Sequence, residues 1–180
     1  MMKWLVLFFI FQSIFCSAQT FQTGSGNVNF LSKAPLSEFN GVSDKLHGLI
    51  DLTENVLDFY IDLNTLETGI GLRDKHMRDN YLETKKYPFA EFTGKMNAIP
   101  SFTAGVKNNV QAVGVFKIHG VERPVEIEGT LSKKSTGELE LVATFDILLS
   151  DYDIPVPSLV FYELAEKQVV TIKATLQPKN

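Results

Sequence analysis

The feature that most constrains this chain is alternation of apolar and polar side chains with a period of two, repeated along most of its length. Leu57, Phe59, Ile61 and Leu63 alternate with Asp58, Tyr60 and Asp62. From Val110 to Ile118 one face carries Val110, Ala112, Gly114, Phe116 and Ile118. Val121 to Leu131 sets Val125, Ile127, Gly129 and Leu131 against Glu122, Glu126, Glu128 and Thr130. Leu139 to Leu149 and Val169 to Leu176 repeat the pattern, and Asn27 to Ser32, Leu46 to Leu52 and Phe89 to Met96 carry weaker versions. A period of two is the signature of strands with one buried face, and it predicts eight of them.

The links between these segments are short: Thr53-Glu54-Asn55, His119-Gly120 and Lys133 to Gly137. Short links join antiparallel neighbours, so a meander is the economical topology. Eight meandering strands leave two exposed edges unless the sheet closes, and closure gives an up-and-down barrel. A two-sheet sandwich is the rival, although it usually needs longer crossing connections. Two stretches break the alternation. Arg73 to Tyr87 is polar, lacks Gly and Pro, and predicts one or two short helices with Asp79 as a cap for the second turn. Asp153 to Glu166 holds Pro155, Pro157 and the cluster Leu159, Val160, Phe161 and Leu164, and reads as a loop with a short helix over one barrel end. Gly24-Ser25-Gly26 reads as a loose N-terminal stretch.

The first 18 residues stand apart. Lys3 follows two methionines, Trp4 to Phe15 is almost wholly apolar, and Cys16-Ser17-Ala18 ends in small side chains. This is the layout of a secretory signal peptide, with cleavage expected after Ala18 and residues 19–180 as the mature domain. The apolar run is interrupted by Gln12 and Ser13 and falls short of the roughly 20 residues of a spanning helix, so no integral membrane segment is expected after cleavage. Acylation at Cys16 is disfavoured by the bulky Phe15 before it. The expected location is periplasmic or extracellular.

Cleavage removes the single Cys, the single Trp and one Lys, taking the net charge from −4 to −5. A chain without cysteine forms no disulfide and has no thiol chemistry. Its acidic balance argues against a nucleic-acid partner, which would demand clustered Lys and Arg. The histidines His47, His76 and His119 lack local metal-ligand spacing, no GxSxG elbow is present, and no Gly-rich phosphate loop opens a helix. No catalytic residue, metal or cofactor is therefore expected.

The inward faces mix residues with almost no side chain (Ala90, Gly94, Ala112, Gly114, Gly129, Ala143, Ala174) with Phe59, Phe92, Phe116 and Phe145. An eight-stranded barrel either fills with side chains or holds one small ligand. Small residues here fit a hollow interior, and they equally fit strand bending and tapered packing. Arg73-Asp74-Lys75-His76 follows the turn Thr68-Gly69 at one barrel end. Arg73 and His76 there suit either a ligand headgroup or solvated helix-start charges. His119-Gly120 is first of all a tight hairpin turn.

The order of several motifs resembles one known family. Thr68-Gly69, Arg73-Asp74-x-His76-Met77, and Tyr87-Pro88 leading into Phe89-Ala90-Glu91-Phe92 are similar to the TG…RDxHL…KYP…xF signature of the YceI-like family. His119-Gly120-Val121-x-Arg123-Pro124-Val125 resembles its HGVxxPV hairpin, Ser150-Asp151-Tyr152-Asp153-Ile154 its SDYGI-type segment, and Gly48-x-Ile50-Asp51 its early GxID strand. The chain departs from the pattern at Gly26-Asn27, where a His-Ser pair is usual, at Asp153, where Gly is usual, and over Pro155 to Glu166.

The resemblance implies a lipocalin-like antiparallel barrel, exported, holding a long isoprenoid such as a polyprenyl phosphate or quinone. On that reading Phe59, Phe92, Phe116, Val125, Ile127, Leu141, Phe145 and Ile172 line a tunnel, and Arg73 and His76 form its polar end. The expected partner is an isoprenoid or other long-chain lipid. Two other readings remain open at this level. One is a ligand-free secreted module acting through its surface, around Leu159 to Phe161; the other is an enzyme on a small lipid using His76 or His119. Oligomeric state is not legible.

Overall fold

The structure, a computed structural model, describes residues 19–155 and 164–179. The signal-peptide expectation for residues 1–18 and the short helix expected after Pro155 lie outside or largely outside those residues.

Eight antiparallel strands close into a barrel in sequence order: β1 Thr20–Ala34, β2 Ser37–Asp51, β3 Val56–Asp62, β4 Phe89–Met96, β5 Lys107–Ile118, β6 Val121–Lys133, β7 Leu139–Leu148 and β8 Lys167–Pro178. Closure comes from β8 pairing with β1, where Val28 faces Ile172 and Phe30 faces Val170. Every strand thus has a neighbour on both sides, which removes the liability of an open sheet. The rival sandwich is therefore excluded.

Strand ends differ from the periodic pattern by a few residues, for local reasons. Leu63 leaves β3 because Asp62 accepts a hydrogen bond from the Asn64 amide (2.9 Å) and starts the single turn Leu63–Thr65. Leu149 likewise opens the turn Leu149–Tyr152. Asp51 ends β2 by accepting from the amides of Thr53 and Glu54 at 2.8 and 2.9 Å. Gly24-Ser25-Gly26 is not loose: it lies inside β1, where the register with β2 shifts around Gly26. The shift is a bulge, and Gly26 fits it because a Cβ there would stand 3.1 Å from Leu46 and 3.2 Å from Ala174.

The long β3–β4 connection carries a short helix, α1 (Gly71–His76), continued by a wider turn over Met77–Tyr81. Asp74, one turn into α1, reaches back to accept from the Thr68 amide at 2.8 Å and from its hydroxyl, closing the Thr68-Gly69 turn. Asp79 does not act as the expected cap. The backbone runs on through His76 and Met77 in helical conformation, so no second start exists for it to cap, and its carboxylate faces Lys85 instead.

The two barrel ends are unlike. At the end holding both strand termini, Phe21, Ile50, Leu131, Leu139 and Leu176 are almost wholly buried and plug the floor. At the other end lie the β1–β2 hairpin, α1, the His119-Gly120 turn and the Leu149–Tyr152 turn. His119 (φ 54) and Gly120 (φ 79) both take positive φ, as a two-residue turn that follows strand twist requires. Asp153, which stands where the family pattern has Gly, also holds a left-handed φ of 54. An aspartate tolerates that region better than most side chains, which accounts for the departure.

Candidate ligand cavity

Inside the barrel is a cavity of about 730 Å³ that opens at the α1 end. That volume lies within the ~300–1,000 Å³ typical of small-molecule sites. Its lower walls are apolar: Ile50, Leu57, Met96, Ala112, Ile127, Leu131, Leu141 and Ala143. The polar lining residues all belong to the mouth half. Ser37 begins β2; Tyr60 and Glu91 pair near the top of β3 and β4; Arg73, His76, Asn80 and Tyr81 come from the helical connection; Gln168 is second in β8. The chamber is thus dry below and polar above, an arrangement suited to a molecule with a long apolar body and a small polar end.

Phe59, Phe92, Phe116, Ile127, Leu141, Phe145 and Ile172 line this cavity, and Arg73 and His76 stand at its mouth. Val125 does not line it. It is half-buried and packs against the core from the wall, on a stretch of β6 whose Arg123 Nε donates to the Asp151 carbonyl of the Leu149–Tyr152 turn at 2.9 Å. The small residues have two roles rather than one. Ala90, Ala112, Gly129 and Ala143 open onto the cavity. Gly94 and Gly114 do not: they face each other across β4 and β5, and the Phe92 ring lies over both.

Arg73 is held in place before any ligand arrives. Its Nε donates to Thr68 Oγ1 at 3.0 Å, and its guanidinium lies 4.3 Å above the Phe39 ring. His76 is exposed at the rim. His119 plays a structural part instead. Its ring is buried, with Nδ1 3.1 Å from the Tyr152 carbonyl, Nε2 2.9 Å from Glu83, and its edge against Tyr87. It ties three connections together at the top of the barrel and is not part of the cavity wall. His47 stacks on Tyr60. Among the described residues no three His, Cys, Asp or Glu groups converge as metal ligands, and no helix is long and apolar enough to cross a membrane.

Several cavity residues were not anticipated. Phe39, near the start of β2, and Met77, Tyr81 and Leu82, from the β3–β4 connection, roof the chamber, and the helical spacing of Arg73, Met77 and Tyr81 was the available signal. Gln168 carried a plainer one, as a lone amide on the otherwise apolar face Val170, Ile172, Ala174 and Leu176. Its Nε2 donates to Ser32 Oγ (3.3 Å) and to the Ala165 carbonyl, while its Oε1 is buried without a donor among the described residues.

Comparison with known proteins agrees with this architecture. A polyisoprenoid-binding domain from Saccharophagus degradans implicated in plant cell wall breakdown superposes with a TM-score of 0.79 at 20% identity, covering 90% of this chain and 99% of that one. Burkholderia cenocepacia BcnA gives 0.69 at 16% identity, over 84% and 96% of the two chains. The Campylobacter jejuni YceI protein gives 0.63 at 20% identity, over 82% and 90%. At such identities the likeness is one of fold. No curated protein sequence matches. The model of the YceI-like domain matches residues 20–177, from the start of β1 almost to the end of β8, and the chain belongs to the YceI-like family.

Proposed function

We propose that this protein is an exported lipid-binding protein that carries a long isoprenoid or similar chain in its barrel and shields it from water. The observation that carries the reading is the division of one closed-bottomed cavity into an apolar lower chamber and a polar mouth. Burying each methylene is worth about 0.8 kcal/mol, so a chain threaded downward binds tightly with few polar contacts. Arg73 and His76 then meet the polar end. Arg73 is suited to phosphate or carbonyl oxygens, since its guanidinium is already oriented by Thr68 and Phe39. The polyisoprenoid-binding domain among the structural relatives supports the ligand class.

Binding, rather than catalysis, is the proposed role. His119 has both ring nitrogens engaged away from the cavity, which leaves His76 at the rim without a partner group arranged for proton transfer among the described residues. The surface-module reading expected a filled interior, and the cavity weighs against it; its apolar patch at Leu159 to Phe161 lies outside the described residues. Export to the periplasm or beyond is part of the proposal and rests on residues 1–18.

Organic extraction of protein purified from its native host, followed by mass spectrometry, tests the reading. A stoichiometric isoprenoid that is absent from a mock purification is expected, and lost from a folded Phe116→Asp variant. Extracts without lipid would overturn it.

A further inference from the structure

We infer that the open end of the barrel docks on a lipid bilayer bearing anionic headgroups, with Ile70 and Leu72 inserted. The inference rests on the lipid-carrying reading: an apolar cargo has negligible solubility, so it must pass between membrane and cavity without crossing water. The structure supplies a rim for that contact. Ile70 and Leu72 line the cavity mouth yet are 53% and 61% exposed, and Leu36, at the tip of the β1–β2 hairpin on the same end, is 76% exposed. Large apolar side chains left in water around an opening mark a contact surface.

Charge selects the kind of bilayer. The chain is acidic, at −4 overall, but α1 and the turn after it carry Arg73, Lys75 and Arg78 on the segment that follows Ile70, and Arg73 and His76 reach the cavity mouth itself. Most acids at this end are engaged: Asp74 is buried on Thr68, Asp79 faces Lys85, Glu91 at the mouth faces Lys117 at 3.4 Å and Glu38 faces Lys33 at 3.2 Å, which leaves Glu67 exposed before the helix. A basic helical segment beside exposed apolar side chains suits an anionic surface, where each basic group adds attraction that falls off within a Debye length. Insertion of Ile70 and Leu72 brings the mouth to headgroup level, where the cargo's polar end resides.

The opposite end provides an internal control, because it also exposes two apolar residues, Ile99 (41%) and Val106 (48%), away from the cavity. Residues 19–180 contain every strand and suffice for the measurement. Co-sedimentation with phosphatidylcholine vesicles, with and without phosphatidylglycerol, should show binding to the anionic vesicles that weakens with salt. Ile70→Asp/Leu72→Asp should lower it about tenfold or more, and Ile99→Asp/Val106→Asp should leave it unchanged. Leu72→Asp and Lys75→Glu, singly at exposed positions, should each weaken it if the double variant does not fold. A wild-type protein that ignores both vesicle types, or an effect shared equally by the two ends, would overturn the docking inference. Extraction of the same wild-type sample separates the two ideas: cargo without vesicle binding removes docking alone, and vesicle binding without cargo removes the carrier alone.

Discussion

The guanidinium of Arg73 lies 4.3 Å from the centre of the Phe39 ring, and this contact ties the mouth helix to the first hairpin across the opening of the barrel. Below it, β2 also meets the start of the β3–β4 connection through the Val42–Glu67 bridge and the Ser43–Thr65 hydroxyl pair. A cation over an aromatic face at a partly exposed site contributes about 0.5–1 kcal/mol. Arg73→Ala should therefore lower the melting temperature by only about 1–4 °C, while release of a bound fluorescent lipid becomes several-fold faster. Unchanged release would show that the mouth does not limit exit.

Filling the chamber separates binding from folding. Ala112 and Ala143 both point into the cavity, on β5 and β7. Ala143→Phe should occupy space that a lipid needs, cutting retained cargo about tenfold, with thermal stability kept or raised because a void is filled. Retention of cargo at wild-type stoichiometry by the folded variant would place the ligand elsewhere.

Gly94 is held by close approach rather than by φ. A Cβ there would stand 2.6 Å from the Val113 carbonyl, 2.7 Å from the Phe92 ring and 3.0 Å from Gly114 Cα. Gly94→Ala should cost about 1–3 kcal/mol of stability in denaturant unfolding, as overpacking does. A neutral result would mean that the β5 backbone at Val113 and Gly114, as well as the Phe92 ring, gives way at no cost.

Alkaline stability depends on Tyr152, whose ring packs edge-on to Phe116. Burial raises its phenol above the ordinary value of 10.0, with the Asp151 charge adding to the shift. A raised folded-state value means the phenol stabilises the fold fully below the unfolded value, and that contribution is lost as pH rises through the folded one. Wild-type stability should fall as pH climbs above about 10, and Tyr152→Phe should flatten that part of the profile. An identical profile for the variant would remove Tyr152 from the account.

The barrel, and the face each strand residue presents, were legible in the chain before any tertiary contact was known. Alternation with period two assigns Phe59, Phe92, Phe116, Ile127, Leu141, Phe145 and Ile172 to the interior irrespective of what the interior holds, and short links leave closure as the way to pair every edge. Even Gln168 was visible there as the one amide on an apolar face. Whether the interior is hollow depends instead on tertiary packing. Free volume is a small difference between the space eight strands enclose and the side chains within it, and it depends on where rings lie. The Phe92 ring lies over Gly94 and Gly114, so those glycines seat a ring, while Gly129, Ala112 and Ala143 leave room open. Val125 shares the inward period of Ile127 yet does not line the cavity, because which inward residues border free space depends on packing that no local period encodes. The mouth is the same kind of product: Phe39, Ile70, Leu72 and Arg73 converge from a hairpin and a helix, and only the closed barrel brings them to one opening.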